Sequence, residues 1–296
     1  MKKVLASHLI RASTKCAHGG LFLVDVETGK YKKLFDWDED IELVGRAGDR
    51  GLRGISVYKN KIYVASAKSI LIFDNKFKLI NRLKNGYLGA CHETMVFNDK
   101  LYIVSTGFDS LIVFDLTKDE FEYGLLVRGK NAKKFNCNKP NQIKKNETIH
   151  LNSVCNFAGS VFFSGTHTRS LLKIEKDMKI SRKLGIPAGT HNCYIINKRE
   201  IIKNDTQGNR IVLTNHGGKV LKSVAIKRVP CKKTEVGESV ARQPFARGLV
   251  YDSKYVVGGS SPAMVSVYDR KTLTNIRDII MSDDIRMSIH GIAIWE

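Results

Sequence analysis

The chain contains no CxxC pair and no compact cysteine framework. Its six cysteines, Cys16, Cys91, Cys137, Cys155, Cys193 and Cys231, are scattered along 296 residues. A disulfide-stapled module and a zinc-ribbon spacing are both excluded, and reduced core thiols are expected. No run of about 18 apolar residues occurs, so no membrane-spanning helix is expected. The opening MKKVLASHLIRAS is broken by His8 and Arg11 and is too short and polar for a signal peptide, which predicts a cytoplasmic protein. GxSxG, P-loop and dinucleotide fingerprints are absent, and RAGDRGLRG has no helix behind it to complete a phosphate loop.

Negative charge is also scarce. Lys and Arg number 49 against 29 Asp and Glu, a formal net charge of +20. The excess is mostly lysine, dispersed in turns such as KNK, NDK and NKR. No arginine-rich helix, RNP-like segment or finger spacing accompanies it. Specific nucleic-acid readout is therefore not expected; a solvated lysine coat or attraction for anions is.

What the chain does have is a repeat. RGISVYKNKIYVASAKSILIFDN (53–75) is a strand, a KNK turn, a second strand, a break and a third strand. HETMVFNDKLYIVSTGFDSLIVFD repeats it from His92. Further copies begin at His150, at His191 and at Arg247. Each strand is short, β-branched and aromatic, and is bounded by Asn, Asp, Gly or Lys turns. A more polar fourth strand follows, as in KFKLINRL and EFEYGLL. Four antiparallel strands per unit make a propeller blade.

The last residues, HGIAIWE, match only a first strand, and the first residues supply the other three as KKVLASHL, GGLFLVD and KYKKLFDW. One blade shared between residues 1–40 and 288–296 gives an all-β, six-bladed β-propeller spanning residues 1–296 as a single domain. It is closed by pairing the C-terminal strand with the N-terminal blade.

The six inner-strand slots hold Arg53, His92, His150, His191, Arg247 and His290, Arg247 only if its blade is read one residue out of register. With 8 histidines in 296 residues, six slots would hold about 0.16 by chance; four do. Neutral imidazoles on rigid elements around one axis suit a divalent transition metal (Zn, Fe or Mn), with positions left open for water or substrate. His92, His150, His191 and His290 are the expected ligands. A metal-free pocket in which histidines and arginines hold an anion is the other chemical reading.

Glu93, next to His92, is expected to point between blades. Asn152, two residues after His150, is expected to face inward. His18 and His167 lie on the slot face and could reach substrate, whereas His216 falls in a turn on the opposite face. Slot spacings of 39, 58, 41, 56, 43 and 59 alternate short and long around the ring. The extra length enters the slots at Arg53, His150 and Arg247, where three long connections could form a lid.

The chain resembles six-bladed propellers of the broad gluconolactonase, NHL-repeat and TolB-like group. More narrowly, ETIHLNSVCNFAGSVFFSG, GTHNCYIINKREI and HETMVFNDKLYIVSTGFDSLIVFD resemble segments of an uncharacterised microbial propeller family with an HLNG-type histidine motif. That resemblance implies the fold and no particular activity. Two other groups share the design: peptidyl-hydroxyglycine lyases place three histidines around zinc in six blades, and carotenoid cleavage oxygenases place four around iron in seven. The acidic ligands of gluconolactonases are missing from the slots, which argues against a calcium lactonase.

The function expected is that of a metal-dependent lyase or hydrolase. Its small anionic substrate would meet Arg53, Arg247, His167, His18 and Asn152. The rivals are an iron-dependent oxygenase and a non-catalytic propeller binding a protein or polyanion. No membrane span enters this reading, and a monomer suffices for it.

Overall fold

A computed structural model describes residues 1–14, 17–39, 41, 48–232 and 234–295. Apart from one 3-10 turn, Thr106–Phe108, every described element is a strand, and the strands form six antiparallel sheets. The first blade joins β25 (Met287–Trp295) to β1 (Lys3–Ile10), β2 (Gly19–Asp25) and β3 (Tyr31–Trp37). The second is β4 (Ile55–Tyr58), β5 (Lys61–Ala65), β6 (Ser69–Phe73) and β7 (Leu79–Lys84). The third runs β8 (Cys91–Phe97), β9 (Lys100–Ser105), β10 (Ser110–Asp115), β11 (Glu120–Arg128) and β12 (Asn131–Phe135). The fourth is β13 (Leu151–Phe157), β14 (Ser160–Gly165), β15 (Ser170–Ile174) and β16 (Ile180–Gly185). The fifth is β17 (Thr190–Ile195), β18 (Ile201–Asp205), β19 (Arg210–Thr214) and β20 (Val220–Ala225). The sixth is β21 (Arg247–Tyr251), β22 (Tyr255–Ser260), β23 (Met264–Asp269) and β24 (Asn275–Ile280).

The inner strands β25, β4, β8, β13, β17 and β21 pack side by side in a closed ring. The split blade closes as the sequence predicts, with Lys3 opposite Trp295 and Ser7 opposite Gly291.

Strand alternation explains the packing. Successive side chains point to opposite sheet faces, and each face meets a different neighbouring blade. On β10, Ile112 and Phe114 join the cluster shared with the second blade, while Leu111 and Val113 join the one shared with the fourth. The core is accordingly six clusters, one at each blade interface. Each fully buried Leu, Ile or Phe contributes about 1.5–3 kcal/mol. Polar clasps tie the same interfaces at the inner edge. Thr106 Oγ1 donates to the Leu151 carbonyl, Asn152 Nδ2 to Thr190 O at 3.1 Å, and Thr206 Oγ1 to Ala246 O at 3.0 Å.

One expected loop proves to be partly strand. Asn131–Phe135, the start of the long connection into His150, is β12, a fifth strand that covers the outer edge of the third blade. Beyond it, Tyr87 Oη donates to Lys139 O at 2.7 Å and Asn138 Nδ2 to Phe121 O at 2.7 Å. That stretch is therefore held against the blade's outer side rather than across the channel mouth. Much of the connection into Arg53, including 42–47, and Cys16 lie outside the described residues.

Candidate metal centre

Irregular backbone brings the slots to the axis. Bulges interrupt the inner pairing between Cys91 and Thr94, Leu151 and Ser153, His191 and Tyr194, and Arg247 and Leu249. On β25, Ser7 pairs with Gly291 and His8 with Ile289, which leaves His290 as the extra residue. A bulge re-aims side chains and increases local twist, which suits groups that must converge. In the Arg247 blade the additional residue is Gly248, at φ = 66°.

The histidines do converge. The His92 ring lies with its centroid 5.0 Å from that of His150, 5.3 Å from that of His290 and 6.5 Å from that of His191. Two imidazoles sharing an ion at about 2.0–2.1 Å have centroids roughly 4.5–5.3 Å apart when cis and about 6.4 Å apart when opposed. His150 and His290 thus stand around His92 at cis spacing, and His191 stands farther out. Among the described residues, no group of three or more His, Cys, Asp or Glu side chains already meets the spacing of a metal site.

Three of the rings are oriented in one way. His92 Nδ1 contacts Ala90 O and Thr106 Oγ1, both at 2.8 Å, and His191 Nδ1 contacts Gly189 O at 2.9 Å and Thr206 Oγ1 at 3.3 Å. His150, at φ = 49° just ahead of β13, places Nδ1 2.6 Å from Glu147 Oε1. An acceptor at Nδ1 fixes the tautomer and leaves Nε2 as the ligating nitrogen. His191 Nε2 is buried and has no hydrogen-bond partner among the described residues. In kind, these donors fit a transition metal.

Charge on the rings is suppressed. Burial, then the neighbouring His150 and Arg53 charges, hold His92 well below its usual range. Burial, followed by Arg247 for His191 and by His92 for His290, does the same there. Burial also lowers His150, against Glu147, which raises it. His8, buried in β1, is lowered to about 4, mainly by burial. Neutral imidazoles are the form that binds metal.

These depressed values have a stability consequence. Unfolded, each imidazole takes a proton near pH 6.5; folded, it does so only at lower pH. Their contribution is therefore complete above about pH 6.5 and is lost as the pH falls from there toward the folded values. Chelator-treated protein in about 0.5 M salt, which screens general repulsion, is expected to lose roughly 10 °C in Tm between pH 7.5 and 5.0. A flat Tm would contradict the assigned environments.

The other predicted residues separate into two groups. Arg53 and Arg247 are buried near the rings. Arg53 Nη2 donates to Gly48 O at 2.9 Å, while its buried Nη1 has no partner among the described residues. The Arg247 guanidinium lies 4.6 Å from the Phe245 ring centroid. His167 is exposed, 6.3 Å from His150 between centroids.

His18 and Asn152 lie differently. His18 is fully buried, with Nδ1 3.0 Å from Gly51 N and Nε2 2.9 Å from Glu39 O, so no ring nitrogen remains for a ligand. The Asn152 amide nitrogen is engaged by Thr166 Oγ1 and Thr190 O as a clasp between blades. Glu93 does not point between blades. Its Oε2 accepts hydrogen bonds from Asn192 Nδ2 and, at 2.9 Å, from Tyr194 Oη, both on β17 two blades away. Glu93 therefore reaches into the channel, and burial pushes its carboxyl up to about 7. Thr106, Thr206 and Glu147 were not legible as site residues. A shared signal existed for the threonines: each directly follows its blade's second strand.

No family model matches the chain, and no curated protein is similar to it. Three solved structures are similar in fold. A chain of a nidogen–laminin complex has a TM-score of 0.61 at 9% identity, covering 98% of this chain and 97% of that one. A computationally designed protein, Ika8, scores 0.52 at 11% identity over 98% and 91%. Virginiamycin B lyase from Staphylococcus aureus, as a catalytically inactive histidine-to-alanine variant with quinupristin, scores 0.51 at 13% identity over 82% and 74%. At these identities the likeness is one of fold: this chain is a six-bladed β-propeller.

Proposed function

We propose that this propeller is a metal-dependent lyase or hydrolase for a small anionic substrate, with His92, His150, His191 and His290 holding one divalent transition metal on the axis. The observation that carries the reading is the shared preparation of three rings: acceptors at Nδ1 leave Nε2 as the ligating nitrogen, and His191 Nε2 is buried without a partner among the described residues. Bound there, Zn, Fe or Mn would supply Lewis acidity or an activated water. His191, the ring farthest from His92, would complete the ligand set.

The protein's own groups have distinct parts. Arg53, anchored through Nη2, directs Nη1, which has no partner among the described residues, at a substrate oxyanion. Arg247, stacked on Phe245, adds positive potential. His167 meets the substrate at the rim. Glu147 and Thr106 hold His150 and His92 in register with the ion. One protein of similar fold is a lyase whose histidine-to-alanine variant is catalytically inactive.

The test is the metal content of untagged protein. One equivalent per chain after supplementation is expected, and less than about half an equivalent overturns the reading. A second reading, a metal-free pocket where histidines and arginines hold an anion, is favoured by the open ring spacing. Phosphate binding that is undiminished by chelation, in protein that takes up no metal, would select it.

A further inference from the structure

The channel has a second mouth. One to six residues beyond the slots, the inner strands line a cavity of about 540 Å³ to which all six contribute. At 3.3 Å per residue its middle lies roughly 10 Å farther along the axis, with Glu93 at the end nearer the slots. Its walls mix polar and apolar surface, the apolar part including Ile55, Val154, Leu249 and Ile292 from four blades.

One carboxylate faces this cavity. Glu93 is 7% exposed, and its hydrogen bonds from Tyr194 and Asn192 come from neutral donors. Among the described residues no lysine, arginine or histidine forms an ion pair with it. A buried carboxylate without a countercharge is unfavourable unless something supplies one. Beside it stand Tyr194 and Tyr251, ring centroids 6.5 Å apart and planes inclined by 39°. Both hydroxyls are tied down, Tyr194 to Glu93 and Tyr251 to Ile195 O at 3.3 Å, so the rings are fixed as walls. Paired aromatic walls next to a carboxylate attract an alkylammonium group by charge and by cation–π contact, and the apolar walls accept its chain. The net charge of +20 does not oppose this strongly, because exposed lysines beyond about 8 Å are screened.

We propose that the rear mouth of the channel is a binding site for a small organic ammonium, with Glu93 as countercharge and Tyr194 and Tyr251 as its aromatic walls. Glu93 adjoins His92 on β8, and the test is made on chelator-treated protein so that its outcome does not depend on the metal.

The probe is n-butylammonium, titrated into chelator-treated protein and followed through the methyl resonance of Met95, which lines the cavity. Saturable millimolar binding is expected, at least tenfold tighter than for 1-butanol, which has the same chain without the charge. Glu93→Gln should weaken butylammonium at least tenfold while leaving 1-butanol unchanged, and Tyr251→Leu should weaken it several-fold. If Glu93→Gln fails to fold, the alcohol comparison and Tyr251→Leu decide. Equal affinity for the alcohol, undiminished binding by either folded variant, or no shift at Met95 would overturn the proposal.

Discussion

Replacing His92 by alanine is expected to abolish metal binding at the axis while leaving the propeller folded. His92 is the ring with three histidine neighbours, at 5.0, 5.3 and 6.5 Å, so its loss removes the ligand to which the others are arranged. A fall in affinity of about 10³-fold or more, roughly 4 kcal/mol, is expected from calorimetric titration of chelator-treated protein. The fold should survive because the ring's own contacts are local, to Ala90 O and Thr106 Oγ1, and Thr106 keeps its bond to Leu151 O. His18→Ala should behave in the opposite way. Its ring bonds Gly51 N and Glu39 O inside the fold, so about 2 kcal/mol of stability should be lost with metal affinity unchanged. Equal metal affinity in His92→Ala and wild type would remove His92 from the ligand set.

Gly291→Ala is expected to be the most damaging small substitution at the ring closure. An added Cβ would stand 2.2 Å from Arg53 O and 2.9 Å from Ser7 Oγ, where the first and second blades meet. Ser7 Oγ bonds Arg53 O and accepts the Gly291 N–H at 2.9 Å, so the obstructing atoms are held by the closure itself. Neither carbonyl nor strand can shift without opening that junction. A loss of about 3 kcal/mol or more and a Tm lowered by roughly 6–12 °C are expected. Gly86→Ala, with nothing within 4 Å of its added Cβ, should change stability by less than about 0.5 kcal/mol. Similar melting of the two variants would contradict the closure described.

The sequence revealed the blade, the split closure and the slots because these follow from local patterning. Period-two strands between turns repeat often enough to be recognised, and two terminal fragments complete one unit. What it hid depends on bulges and on neighbouring blades. Counting parity from His92 sends Glu93 between blades, but the bulge at Cys91–Thr94 breaks that count and the side chain crosses to Asn192 and Tyr194. His18 shares the slot face yet lies away from the axis, since a strand pattern gives the face and not the radius. β12 is polar, NAKKF, and as an edge strand it carries no apolar alternation by which to be seen. Glu147, Thr106 and Thr206 act through contacts made only after the blades assemble.

X-ray absorption spectroscopy of the protein loaded with one equivalent of zinc tests the central claim most directly. The account predicts a first shell of three or four imidazole nitrogens at about 2.0–2.1 Å, with multiple scattering from the rings and no sulfur. A first shell of oxygen alone, or one containing sulfur, would contradict it.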